Sequence, residues 1–268
     1  MSSKQDSLVH VGNVPEHLLA LMQQVDGSES LQTMKHHRIV NIVAVIKSNS
    51  PLEKKKEFGE GSMVIPATKT VIAKLGEPVN VIPVMFFDEF IKWGDRNDKT
   101  GPMIREKTLN RTSKLAQLCQ SPQSWEETYG TNVPPFKARN THHLNFMCMI
   151  ASGPLNGQLV VLSFARGEFK QGLGWMGSIQ QRRFAGRLLP LYASVWTAYT
   201  VHRANAKGEW YGIDIKPAEQ PYATPEQIEI ARPMHEQLLA DYKANMIEVD
   251  HEQAVSVDGE PSADTGEF

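Results

Sequence analysis

The segment VNVIPVMFFDEFIKW, residues 79–93, restricts the fold more than any other part of this chain. Its β-branched and aromatic residues favour an extended strand, yet apolar side chains occupy both alternating faces, so both faces must be covered by other elements. A strand wrapped into a barrel, or shielded by a helix or loop, meets that demand. Pro83 has no N–H to give to a ladder, which predicts a bulge or an edge position there.

The neighbouring segments extend this reading. RIVNIVAVI, beginning at Arg38, has strand composition, and SNSPLEKKKEFGEG after it reads as a basic surface loop. A further strand is expected around residues 68–74. Residues 95–141 are polar, contain Pro102, Pro122 and the Pro134-Pro135 pair, and offer only a short helix over residues 113–119. They read as a long insertion between strands. HLNFMCMIA and QLVVLSFA flank Gly153-Pro154-Leu155-Asn156-Gly157, the clearest hairpin in the sequence. Phe169, Leu173, Met176 and Ile179 recur at helical spacing, but Gly172, Gly174 and Gly177 interrupt the pattern, so a broken helix is expected, packed closely through its glycines. PLYASVWTAYTVHRA and GEWYGIDIK give two more strands, and Thr224-Pro225-Glu226 opens a helix running to about Met246.

The expected class is therefore mainly β (α+β): an OB-fold-like, partly open β-barrel with a long insertion, a C-terminal helix and a disordered acidic tail. A β-sandwich is the competing architecture. The expected organisation is an arm over residues 1–37, a domain over 38–217 carrying the insertion 95–141, a helix over 218–247 and a tail over 248–268.

Charge is segregated along the chain. The tail holds 7 of the 30 acidic residues and none of the 28 lysines and arginines, so residues 1–247 carry a basic excess of about 5 beneath a formal net charge of −2. Two cysteines, Cys119 and Cys148, and no leader-like N-terminal segment point to a reducing cytoplasmic setting. The apolar runs 79–87 and 188–198 are interrupted by Pro83, Pro190, Ser194 and Thr197 and are too short to cross a bilayer, so no membrane role is expected.

Catalytic signatures are missing from the sequence. It has no Gly-Lys-Ser/Thr phosphate loop, and QGLGWMG only faintly echoes a dinucleotide fingerprint, with no βαβ start before it. The pairs His36-His37 and His142-His143, with the two cysteines, match no common zinc spacing; adjacent histidines on a strand point to opposite faces, and the cysteines suit core positions. Asp88-Glu89 and Glu126-Glu127 are neighbours in sequence, which does not bring two carboxylates onto one substrate atom. The reading is a protein that is not an enzyme and carries no cofactor and no metal.

What recurs is basic side chains interleaved with aromatic ones. Lys92, Trp93, Arg96, Arg166, Lys170, Trp175, Arg182, Arg183, Trp210 and Tyr211 are the candidate DNA-binding residues, with residues 95–141 expected to fold over the bound strand. A single strand of nucleic acid exposes base faces and phosphates, so rings that stack and cations that neutralise are the chemistry it requires. Trp196 and Phe146, in apolar strands, read as core. The tail ends in SADTGEF; a bare terminal ring costs free energy in water and asks for a partner, while the acids around it imitate phosphates and compete for a basic groove. Asp258, Glu260, Asp264, Glu267 and Phe268 are accordingly the candidate partner-binding residues.

VNVIPVMFFDEFIKWGDR, LVVLSFARGEFKQG, RLLPLYASVWTAYTVHRANAKGEWYGIDI and the GEF ending together resemble the single-stranded DNA-binding proteins of tailed bacteriophages. That resemblance implies an oligonucleotide-binding barrel that coats exposed strands in phage replication, recombination and repair inside the infected bacterial cell. It also implies that the tail recruits replication proteins such as a DNA polymerase or a helicase-primase. This tail is interrupted by Val255, Val257, Pro261 and Ala263, and so is less densely acidic than the family's usual form. A homodimer stands among the expected assemblies, and a phage virion or assembly protein is the alternative function.

Overall fold

A computed structural model describes residues 38–48, 50–94, 104–120, 140–184, 186–205 and 208–252. The strand expected over residues 79–93 is β5 (Val79–Trp93), and everything else is arranged around it. On one edge it pairs antiparallel with β7 (Asn140–Ile150), from Val81 opposite Ile150 to Lys92 opposite Asn140. β7 in turn pairs with β8 (Leu159–Ala165). β5 also pairs with β11 (Ser194–Asn205) through residues 79–81 and with β6 (Ile104–Thr108) through residues 90–93. β11 and β12 (Gly208–Tyr222) form a long hairpin, so the main sheet runs β12-β11-β5-β7-β8 with β6 beside β5.

Pro83 produces the expected bulge, placed within an interior strand. The register shifts between Pro83 and Met85, and the Val84 carbonyl accepts a hydrogen bond from His235 Nδ1 at 2.6 Å. A side chain from outside the sheet thus satisfies an acceptor that the bulge takes out of the ladder.

Both faces of β5 are covered, as its composition demands. On one face Val81, Phe146, Leu162, Phe164 and Trp196 pack with Trp175 and Ile179 of α3 (Phe169–Gln181) and with Met63 and Ile65 of β3 (Met63–Ile65). β3 belongs to a small sheet with β2 (Ala44–Val45) and β4 (Thr70–Ala73). On the other face Ile82, Val84, Met147, Met149 and Val195 pack with Ala231 and Leu238 of α4 (Pro225–Lys243), and with Val40 of β1 (Arg38–Val40) and Val249 of β13 (Ile247–Val249). Burying side chains of this size stabilises by about 1.5–3 kcal/mol each, before the entropy of ordering them is subtracted. The architecture is mainly β with helices, α+β in class. The sheets are open, and no closed barrel forms among the described residues.

α3 approaches the sheet through one of its three glycines. A Cβ at Gly172 would lie 2.8 Å from Phe164 Cβ, whereas Gly174 and Gly177 face open space. α4 starts in a capping box, Thr224 accepting from the Gln227 N–H at 3.3 Å while Gln227 Oε1 accepts from the Thr224 N–H at 2.9 Å.

Several expected boundaries move. The basic loop after β2 contains a helix, α1 (Leu52–Phe58), whose Phe58 is buried. The insertion contributes β6 and a helix, α2 (Lys114–Gln120), and its last two residues, Asn140 and Thr141, already belong to β7. The C-terminal helix is shorter than residues 218–247, because β12 runs to Tyr222 and β13 follows the helix. The acidic segment does not begin as a tail: Glu248 pairs with Lys107, and Glu252 accepts the Ile104 N–H at 3.1 Å. Those two acids neutralise or cap β6, and only residues 253–268 lie outside the described part. Residues 1–37, the expected arm, lie outside it too.

Candidate nucleic-acid interface

Lys92 and Trp93 end β5, and both are partly exposed. The Trp93 indole donates to Thr141 Oγ1 at 2.7 Å, Thr141 Oγ1 lies 2.9 Å from His143 Nε2, and His143 Nδ1 lies 3.0 Å from Ser163 Oγ. Beside this string, Glu89 Oε2 accepts from His251 Nε2 at 2.7 Å and from Asn145 Nδ2 at 2.8 Å. The His143 and His251 rings are 4.5 Å apart. Glu89, Thr141, His143, Asn145 and His251 are all buried, so a polar network lies under the end of the sheet and fixes one edge of the Trp93 ring. Burial first, then the neighbouring His251, Arg166 and His142, hold the His143 pKa well below its usual 6.5.

The opposite face carries a second group. Asp88 accepts from Arg111 and from His142 Nε2, the latter at 2.7 Å, and the His142 ring stacks on Phe90 at 4.5 Å. His142 and His143 therefore point to opposite faces, each with its own partners. Among the described residues no cluster of three or more His, Cys, Asp or Glu side chains is placed to hold a metal ion.

Across the sheet, Glu89 is opposite His143 and His143 is opposite Ala165. Arg166, the next residue, is thus level with Phe90 and about 10 Å from it across two strands, three residues short of the end of β5. It has a left-handed φ of 53° and opens the 3-10 turn Arg166–Glu168 that leads into α3 and the exposed Lys170.

Glu168 then reaches across to the β11–β12 hairpin. Its Oε1 accepts from Trp210 Nε1 at 2.9 Å, and its Oε2 accepts from the Ile213 N–H at 3.2 Å. Arg203 Nε is 3.1 Å from Oε1, an ion pair whose angle is too poor for a hydrogen bond, and Arg203 Nη2 donates to Asp214 at 2.6 Å. Gly212 makes room for this carboxylate: a Cβ there would sit 2.4 Å from Glu168 Oε1.

The ten candidate DNA-binding residues separate by place. Arg166 and Lys170 flank the 166–168 turn, whose Glu168 holds Trp210. Lys92 and Trp93 end β5, the Trp93 indole on the His143 face and Lys92, opposite Asn140, on the His142 face. Tyr211 follows Trp210 in the strand, points to the other side of the hairpin and packs 5.2 Å from His202. Arg182 and Arg183 sit past the far end of α3, whose 13 residues span about 20 Å. There Arg182 donates to the Pro221 carbonyl at 2.7 Å and lies 4.2 Å over the Trp196 ring, while Arg183 is exposed. Trp175 is corrected outright as a surface ring: it is 3% exposed and stacked on Phe146 at 4.1 Å, because its position on α3 faces the sheet. Arg96 and the five tail residues Asp258, Glu260, Asp264, Glu267 and Phe268 lie outside the described residues.

Sequence reasoning missed Glu89, Asn145, Glu168 and His251. Charged and amide groups inside the apolar runs MFFDEFI and HLNFMCMI were the visible sign of the buried network. Nothing in the spacing marked Glu168, an acid among bases.

A family model described as Pam3 phage gp34-like protein matches residues 7–241. The chain belongs to that family. It is thus a bacteriophage protein, and among its described residues no helix is long and apolar enough to cross a membrane. Comparison with curated proteins and with solved structures gives no match.

Proposed function

We propose that this phage gp34-like protein binds single-stranded DNA without sequence preference, coating strands exposed during phage replication, recombination and repair in the host cytoplasm. The observation that carries the reading is that Arg166 and Lys170 flank the turn whose Glu168 holds the partly exposed Trp210 indole, with the partly exposed Trp93 ring 6.3 Å from His143 on the neighbouring strand: exposed cations and rings suit phosphates and stacked bases. Strand order supports it. With β5, β7, β8, β11 and β12 numbered one to five in chain order, the order across the sheet is five, four, one, two, three, and α3 lies in the chain between the third and fourth. An oligonucleotide-binding barrel uses that order and that helix position. In such barrels the loops between the first two and the last two strands flank the ligand; Trp93 and Trp210 stand at the corresponding ends. On this reading the acidic tail competes for the same surface and recruits replication proteins.

A tryptophan-fluorescence titration with oligo-dT tests this. Quenching should be accompanied by a log-affinity against log-salt slope of about −2, since Lys92, Arg166 and Lys170 would each neutralise a phosphate at about −0.7 per contact. A flat slope or no quenching overturns it. The burial of Trp175 and Trp196, two of the chain's 5 tryptophans, favours a second reading as a virion or assembly protein. That reading expects association with particles and equal indifference to single and double strands.

A further inference from the structure

We infer that Glu168 is a positioning residue, a carboxylate bracket that joins the two ends of the open sheet and holds the Trp210 indole in its binding orientation; the inference rests on the single-strand reading above. The main sheet begins at β12 and ends at β8, and these two strands do not pair among the described residues. Glu168, three residues beyond the end of β8, spans that gap. One of its oxygens takes the N–H of the Trp210 ring and the other takes the backbone N–H of Ile213 on β12. The same side chain therefore satisfies a strand donor and fixes a ring two chain positions from the strand glycine that admits it. The glycine is part of the device, because at Gly212 any side chain would occupy the place of the carboxylate. Arg203, directly opposite Trp210 in the hairpin, stands beside Glu168 and Asp214 and offsets the negative charge that the bracket brings to a basic surface. Fixing the ring before a base arrives removes the cost of ordering it on binding.

The sign of the effect separates positioning from electrostatics. Removing an acid from a surface that binds phosphates should strengthen DNA binding if charge were the role of Glu168. Positioning requires the opposite: Glu168→Ala should weaken oligo-dT binding, approaching the about tenfold loss expected for Trp210→Ala. Gly212→Ala leaves the net charge unchanged and displaces the carboxylate, so it should weaken binding to a similar extent with the salt slope unaltered. In a Trp210→Ala background, Glu168→Ala should cost nothing further. Tighter binding by Glu168→Ala, or additive losses in the double variant, would overturn the inference.

A second measurement stands apart from DNA. The Trp210 indole N–H should exchange slowly with solvent in the full chain and rapidly in Glu168→Ala, with circular dichroism verifying that the variant is folded. Unchanged exchange removes the bracket whatever the ligand. Normal exchange behaviour with no oligo-dT binding by the unaltered protein leaves the bracket standing and removes the single-strand reading instead.

Discussion

A proton on His143 would place a positive charge in a buried site beside His251, Arg166 and His142. Both ring nitrogens already face hydroxyls, Ser163 on one side and Thr141 on the other. Around it stand Glu89 from β5, His142 from β7, Arg166 after β8 and His251 after β13, and its pKa is held well below 6.5, by burial first. An unfolded chain binds that proton readily, so between pH 6.5 and the lower folded value the unfolded state takes up more protons than the native one. The stability present above pH 6.5 should therefore fall as the solution is acidified below it. Denaturant midpoints at pH 7.5 and pH 5 measure this, and His143→Gln, which keeps a polar partner for the hydroxyls, should narrow the difference. An equal difference in both proteins would assign the acid sensitivity elsewhere. Trp93 depends on the same network, since its indole donates to the hydroxyl that also faces His143.

At the scale of the element, α3 shows how one helix uses identical residues differently. Gly172 touches the sheet, where an added methyl would meet Phe164 at 2.8 Å and Leu144 at 3.0 Å, while Gly174 faces open space. Gly172→Ala should destabilise by about 1–3 kcal/mol through overpacking. Gly174→Ala should stabilise by up to about 1 kcal/mol, because alanine restricts the unfolded backbone and favours helix. Thermal or urea unfolding of the two variants reads both signs, and the same sign in both would contradict the packing. A helical segment was legible from the spacing of Phe169, Leu173, Met176 and Ile179, and the close approach from the presence of glycine. The break those glycines suggested does not occur, since the helix runs unbroken over Phe169–Gln181. Which glycine makes the approach was not legible, because a register of three and four residues leaves the angle of the helix on the sheet undetermined.

At the scale of the whole molecule, the candidate cations are divided between the two ends of α3. Lys170→Ala should weaken single-strand binding and reduce the steepness of its salt dependence by about 0.7, the contribution of one phosphate contact. Arg183→Ala, at the far end, should leave that steepness unchanged. A larger effect from Arg183 than from Lys170 would move the interface to the β9–β10 end, where β9 (Arg183–Phe184) and β10 (Arg187–Leu188) form a small hairpin. The tail enters this arrangement at a defined place. Glu248 and Glu252 tie its root to β6, whose Lys107 is opposite Ile91 and whose Glu106 is opposite Lys92.

Local chemistry alone determined the long central strand, a ladder irregularity at Pro83, the β7–β8 hairpin, a helical segment after it and the capped start of α4. Each depends on side-chain periodicity or on a turn residue within a few positions of where it acts. The aromatic and basic composition of the candidate surface was also legible, since interleaving is a property of neighbours in the chain. Tertiary structure alone decided which rings are exposed, as Trp175 is consumed by the core while Trp93 and Trp210 are held at the rim. It also decided that residues 89, 145 and 251 share one buried network, and that an acid at 168 serves a ring at 210. The physical reason is the same in each case: these contacts join residues tens to more than a hundred positions apart, and strand register and sheet curvature, which no local pattern encodes, bring them within hydrogen-bonding reach.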